Sequence, residues 1–328
     1  MLWSLLFLFC QTLFATLDPL PSWNEGAAKK GIIRFVQAVT EKGGKNYVAP
    51  ENRIVVFDND GTLWVEKPFH VECLFIVDRM KSLAGKHPEW KNQEPFKSIL
   101  EQGTKALDEL HTKDLEKLIA VTHTGMTLGE FHKMVSVWLE NTEHPTFHKK
   151  FTELVYQPML EVINLLRDHQ FAVYIVSGGG QEFIRSFAEK LYGIRNDHII
   201  GTASKMDYEY RKGHPVLRPN AEVLFVDDQE KKPMAINLII GKRPIAAFGN
   251  SIGDQQMLEW TTGQKGKHFE ALVHHDDAER EYAYGPNSKT GTFSEALMKE
   301  AKKEGWMIIS MKKDWKILFP WQMGLPSP

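Results

Sequence analysis

A chain of 328 residues, 42% hydrophobic and 25% charged, is long enough to bury a sizeable core as one large domain or two smaller ones. Its 40 Lys plus Arg nearly balance 42 Asp plus Glu, and the net charge of -2 gives no electrostatic footprint for nucleic acid or an anionic membrane. Any anionic ligand must therefore be held locally.

The chain opens with LWSLLFLFCQTLFA, Leu2 to Ala15, an apolar run too short to span a bilayer and suited to the core of a signal peptide. Residues 1–17 are accordingly expected to be a signal peptide, and the mature protein to be exported, periplasmic or secreted, without stable membrane association. Two features are atypical: no Lys or Arg precedes the run, and a cut after Ala15 puts bulky Leu13 three residues upstream. A buried N-terminal helix is the alternative. Cys10 would leave with the signal, Cys73 would then lack an intrachain partner, and no disulfide is expected.

Residues 25–42 follow a helical period, with Ile32, Ile33, Phe35, Val36 and Val39 on one face. Strand-like runs come at 53–58 (RIVVFD), 171–177 (FAVYIVS), 198–203 (HIIGTA), 245–249 (IAAFG) and 269–274 (FEALVH). Several are apolar at successive positions, as in strands covered on both faces. Helical segments at 158–168 and 181–192 lie between them, and the order implies a parallel, doubly wound α/β sheet. MDYEYRKGHPVLRP reads as a β-hairpin, with Tyr208 and Tyr210 alternating ahead of the turn KGHP, so 206–227 is taken as an antiparallel excursion and Asp227 as structural. From 66 to about 157 helical spacing dominates, and Thr127 followed by Glu130 is a capping box that should start a helix over Leu128–Asn141. The expected division is a core of 18–65 and 158–328, with 66–157 inserted as a helical cap. That insert is either a lid or a second structural domain with no part in the reaction.

The stretch RIVVFDNDGT carries the chemistry. In an open α/β sheet ligands bind beyond the carboxyl ends of the strands, where Asp58 falls, and Asp60 follows two residues on. Two carboxylates so close call for a cation, and Mg²⁺ takes one or two carboxylates, waters and phosphate oxygens. Gly61 lets the chain turn, and Thr62 offers a hydroxyl to the loop. Ser177-Gly178-Gly179-Gly180 opens a helix with a hydroxyl and free N–H groups, a cradle for phosphate. Lys231 and Lys232 open a short helix, where cations oppose the dipole preference unless they neutralise bound anions. The strand IAAFG then runs into Asn250-Ser251-Ile252-Gly253-Asp254, placing more oxygens at a carboxyl end.

Taken in order, FDNDGT, VSGGG, the lysine of KKP and GNSIGDQQML resemble the four motifs of the haloacid dehalogenase superfamily, in particular its phosphoserine-phosphatase-like members. The resemblance spans Ile54 to Leu258 and implies the same α/β sheet with a mobile helical cap. It implies Asp58 as nucleophile, Asp60 as general acid and base, and Thr62, Ser177, Gly178 and Lys232 at the phosphate. A Mg²⁺ site of Asp58, Asp60, Asn250 and Asp254 is implied as well. Lys232 is preferred to Lys231 because it directly precedes Pro233 at the helix start. One departure stands out: the family's fourth motif often begins Gly-Asp, and this chain has Gly249-Asn250, an amide where a charge is usual.

The function expected is Mg²⁺-dependent hydrolysis of a small phosphomonoester through an aspartyl phosphate, on phosphoserine-like or varied substrates. The alternatives are a metal-independent hydrolytic dehalogenase, which needs no acid two residues after the nucleophile, and a non-catalytic phosphate binder, for which Asn250 is the hint. His274-His275-Asp276-Asp277 is read as a strand end entering a solvated loop, because adjacent strand residues face opposite ways. His123, Thr124 and Met126 either touch substrate or pack. Nothing in the sequence sets an oligomeric state.

Overall fold

Four consecutive apolar residues, three of them β-branched, favour a strand covered on both faces. Ile54–Phe57 (β1) is such a strand, buried along its length at the centre of a seven-stranded sheet. The computed structural model describes residues 18–324, so the signal peptide expected over 1–17 lies outside the described residues. The other strands are Ala172–Gly180 (β2), Ile199–Arg211 (β3), His214–Phe225 (β4), Ala246–Gly249 (β5), Phe269–His274 (β6) and Met307–Ser310 (β7), in the spatial order β4-β3-β2-β1-β5-β6-β7. Every neighbouring pair is parallel except β3 with β4.

Alternation along the strands feeds two helical layers. Val55, Phe57, Ile175, Phe248 and Val273 enter the larger core with α1 (Ala27–Thr40). Val56, Val176, Ala247 and Leu272 enter the smaller one on the opposite face. Phe57 stacks on Phe248 of the adjacent strand with ring centroids 4.5 Å apart. The hairpin is longer than 206–227 suggested, because β3 runs unbroken from the sheet into it. Lys212 and Gly213, at φ 51° and 81°, make the two-residue turn that the twist of paired strands favours.

The insert carries α2 (Val71–Leu83), α3 (Phe96–Gln102), α4 (Thr112–Thr122) and α5 (Leu128–Asn141), the last with its Thr127–Glu130 capping box formed. Its two crossings from the core are bonded to each other: Val65 N–H donates to Leu154 O and Tyr156 N–H to Leu63 O. The insert has an inner and an outer part. Phe75, Phe131, Val135 and Leu139 belong to the main core, while Ile76, Met80, Trp90, Ile99 and Leu118 form a cluster of their own.

α6 (Gln157–Asp168) leads back to β2. The helix expected over 181–192 is instead two short ones, α7 (Gln181–Arg185) and α8 (Ala188–Tyr192). α9 (Lys231–Ile239), α10 (Gln255–Thr262), α11 (Glu295–Glu304) and α12 (Met311–Asp314) complete the order. Among the described residues no helix is long and apolar enough to cross a membrane.

Candidate active site

The parallel strands β1, β2 and β5 end side by side, and their carboxyl ends, with α9, deliver the chemistry to one cavity of about 450 Å³. Asp58, Asp60, Ser177, Gly178, Lys232 and Asp254 all line it. Asp58 extends β1 through its N–H to Phe248 O at 2.9 Å and is 7% exposed. Asp60 sits in the following turn, where its Oδ1 accepts from Trp64 Nε1 at 2.9 Å and its Oδ2 from Asn59 Nδ2 at 3.4 Å. Those bonds aim the carboxyl while leaving it on the cavity wall.

Lys232 decides between the two lysines. Its Nζ is buried, donating to Asp58 Oδ1 at 2.8 Å and to Asp254 Oδ1 at 2.6 Å, whereas Lys231 is on the surface. Burial alone would depress the lysine's pKa, but Asp254 and Asp58 raise it well above the ordinary value. Asp254 Oδ2 accepts the backbone N–H groups of Asn250 and Ser251 at 2.9 and 3.1 Å, so both its oxygens are engaged by the lysine and its own loop. Burial raises Asp58 well above 3.8, Asp254 adds to the rise, and Lys232 opposes it. Burial likewise raises Asp60, against the opposing influence of His70, Trp64 and Asn59.

The glycine loop differs from a free cradle. Ser177 Oγ accepts from Gly179 N–H at 3.1 Å, and Gly180 N–H donates to Glu72 Oε2 of the cap at 2.7 Å. A Cβ on Gly180 would lie 2.3 Å from Glu72 Oε1, so a larger residue there would push the Glu72 carboxyl aside. His123 Nε2 lies 3.2 Å from the same Glu72 oxygen and lines the cavity, while Met126 is packed in the main core.

Two expected residues lie behind the wall. Thr62 is fully buried and its hydroxyl donates to Asn250 Oδ1 at 3.4 Å, so this buried group satisfies itself on Asn250 instead of lining the phosphate cavity. Asn250, also buried, donates Nδ2 to Glu66 Oε1 at 2.6 Å and is likewise not on the cavity lining. The segment after β6 is not the solvated loop expected. His275 and Asp277 are buried, and the His275 ring bridges Glu281 Oε2 at 3.2 Å and Gly61 O at 2.7 Å, bracing the Asp60 turn from behind.

The motif reading passed over four acids that the structure brings to the cavity: Glu66, Glu72, Glu182 and Asp228. Glu66 follows the buried Trp64 and Val65, and an acid in so apolar a run was the available signal. Asp228 was masked by Asp227, which is fully buried and whose pKa burial raises to about 7.

Among the described residues no three His, Cys, Asp or Glu side chains form a ready-made metal cage. Mg²⁺ needs none, since it keeps waters and takes substrate oxygens. The donors present are hard carboxylate oxygens, and burial raises Asp58 and Asp60, so their charged forms call for a cation beside them. That set fits a hard divalent cation.

A family model described as haloacid dehalogenase-like hydrolase matches residues 55–259. Among solved structures, a protein of unknown function from Bordetella pertussis Tohama I is 14% identical over 79% of this chain and 98% of its own, at a TM-score of 0.50. A functionally unknown protein from Anaerococcus prevotii DSM 20548 is 13% identical over 79% and 89%, at 0.52. A phosphoserine phosphohydrolase-like protein from Francisella tularensis is 16% identical over 76% and 98%, at 0.38. At these identities the likeness is one of fold. The search of curated proteins found no match.

Proposed function

Because the chain belongs to the haloacid dehalogenase-like hydrolases, we propose that it hydrolyses small phosphomonoesters, with Asp58 as nucleophile and Asp60 as acid and base. The observation that carries this reading is the buried ammonium of Lys232 between Asp58 and Asp254, with a second cavity-lining acid of raised pKa two residues after the first. Lys232 holds Asp58 Oδ1, which leaves the other carboxylate oxygen to attack phosphorus in line. The bond to the leaving oxygen breaks as the new P–O bond forms, and Asp60 delivers its proton to that oxygen. Asp60, now a carboxylate, takes a proton from the water that cleaves the aspartyl phosphate, returning Asp58 and releasing inorganic phosphate.

In this reading the Ser177 hydroxyl and the Gly178 N–H, both on the cavity lining, hold equatorial phosphate oxygens, and Lys232 adds positive charge. Bound Mg²⁺ would be held by Asp58 and Asp60 and would offset phosphate charge. Toward the cap the lining turns apolar, with Ile76, Leu115, Ile119 and Phe131, so the leaving group has an apolar surface to rest on. The residues 2–15 support export, and with it scavenging of phosphate from varied esters in preference to one biosynthetic step.

The test uses p-nitrophenyl phosphate and an alkyl ester on Asp58→Asn and Asp60→Asn proteins, with rapid quench. Asp58→Asn should show neither turnover nor phosphoenzyme. Asp60→Asn should release a burst of p-nitrophenol and accumulate acyl phosphate, yet fail on the alkyl ester, whose alkoxide needs a proton to leave. Equal losses on both esters without a burst would remove Asp60 from acid–base chemistry. No phosphate release by the unmodified protein, with or without Mg²⁺, would refute the phosphatase reading.

A further inference from the structure

The stretch that supplies Asp58 and Asp60 ends in Glu66, which neither step above uses. Glu66 is 1% exposed, and burial pushes its pKa well above the usual carboxylate value. Its Oε1 accepts from Asn250 Nδ2 at 2.6 Å and from the Tyr284 hydroxyl at 2.5 Å, and Oε2 lies 3.8 Å from His70 Nδ1. The backbone is shaped around it. Gly61 and Gly291 both take positive φ, 74° and 63°, and a Cβ on either would fall 2.4 and 1.9 Å from Glu66 Oε1. Burial favours the neutral form, so a negative charge here needs a cation beside it. Asn250, its main partner, follows the end of β5 beside Asp58, and is uncharged.

We propose that Glu66 and Asn250 act as one unit: Glu66 supplies the negative charge on the β5 side of the cation site, and the Asn250 amide holds that carboxylate against the cavity. Glu66 lines the cavity and Asn250 stands behind it, so the acid, rather than the amide, is the member turned toward a cation. The donation from Nδ2 also fixes the amide, leaving Oδ1 to the Thr62 hydroxyl at 3.4 Å. Glu66 is thus a positioning and charge-supplying residue that takes no part in proton transfer. The inference rests on the metal-dependent reading of the same cavity.

The experiment is calorimetric titration of the mature chain with Mg²⁺ alone, without substrate, and its readout is affinity. Glu66→Gln keeps the shape and loses the charge, and should weaken Mg²⁺ binding about 10–100-fold, the range seen when groups supporting metal ligands are removed. Asn250→Asp should bring no gain, because it sets a second carboxylate at hydrogen-bond distance from the first. In the double variant the charge has moved to position 250, behind the cavity wall, so binding should stay as weak as in Glu66→Gln, and full recovery would overturn the assignment of the charge to Glu66. Circular dichroism checks folding of each variant. If Glu66→Gln does not fold, Asn250→Asp alone decides: unchanged or weaker binding supports the pairing, and tighter binding overturns it. Equal affinities for Glu66→Gln and the unmodified chain would also overturn it, leaving the phosphatase reading intact. Failure of the unmodified chain to bind Mg²⁺ would refute the metal-dependent reading and this inference together.

Discussion

Replacing Lys232 by Met is the most revealing single change, because one ammonium is asked both to stabilise the fold and to receive phosphate. In the native protein its Nζ bonds Asp58 and Asp254 at 2.8 and 2.6 Å, with all three side chains at least nine-tenths buried. Removing the charge leaves two carboxylates facing each other out of water. Breaking a buried ion pair on one side costs about 3–5 kcal/mol, which in a domain of this size lowers the melting temperature on the order of 10 °C. The sign with pH follows from the raised pKa of Lys232. A lysine raised on folding contributes its full stabilisation below the ordinary lysine value and loses it only as pH climbs through the native one. The native triad should therefore hold across neutral and mildly alkaline pH. In Lys232→Met the penalty should be largest near neutral pH and shrink on acidification, as Asp58, already raised by burial, takes up a proton. Thermal denaturation at neutral and acid pH, with Lys231→Met as the surface control at under about 0.5 kcal/mol, measures this, and phosphatase activity should be lost with Lys232 alone. Equal stability of Lys232→Met and the unmodified protein at neutral pH, or an equal loss for Lys231→Met, would refute the reasoning.

Two further outcomes are expected. Asp227, whose carboxyl has no hydrogen-bond partner among the described residues, rises from 3.8 to about 7 on folding. Its cost is therefore absent below the lower value and grows through the interval, so Asp227→Asn should stabilise by up to about 4 kcal/mol at mildly alkaline pH and by little in acid; a pH-independent difference in melting would speak against it. Deleting 66–157 should give an aggregating protein in place of an active core, since Phe75, Phe131, Val135 and Leu139 would leave the main core with that segment; a soluble, cooperatively melting deletion product would contradict this.

What the sequence made legible follows the range of the interactions involved. Strands buried on both faces show as continuous apolar runs, so β1, β2, β5 and β6 were readable, and with them the place of Asp58 at a strand end. β7 was not, because the short run Met307–Ser310 lies between lysine-rich stretches at 299–303 and 312–313 that mask it. The break between α7 and α8 leaves no mark in QEFIRSFAEK. Side-chain partners were the least legible part: that Thr62 turns to Asn250, that His275 reaches Gly61 and that Glu66 meets Tyr284 are contacts across 188, 214 and 218 residues of chain. No local pattern encodes them. The choice of Lys232 could be made locally, since the start of a helix fixes which side chain faces inward.

The charges around the cavity also say why cation and substrate should bind as one event. Asp58, Asp60, Glu66, Glu72 and Asp228 line it, and Lys232 is already shared between two carboxylates. A phosphate dianion entering such a place alone meets repulsion that a net charge of -2 spread over the whole chain cannot relieve. In the proposed metal-dependent reading, a divalent cation alone would be held by the acids, and the phosphate would then bring oxygens to it. Each ligand therefore lowers the electrostatic cost of the other, and by linkage the factor by which Mg²⁺ tightens phosphate must equal the factor by which phosphate tightens Mg²⁺. The cap touches the same place: Glu72, carried by α2, accepts the Gly180 N–H of the glycine loop, so withdrawing α2 would unpair a donor on the cavity lining.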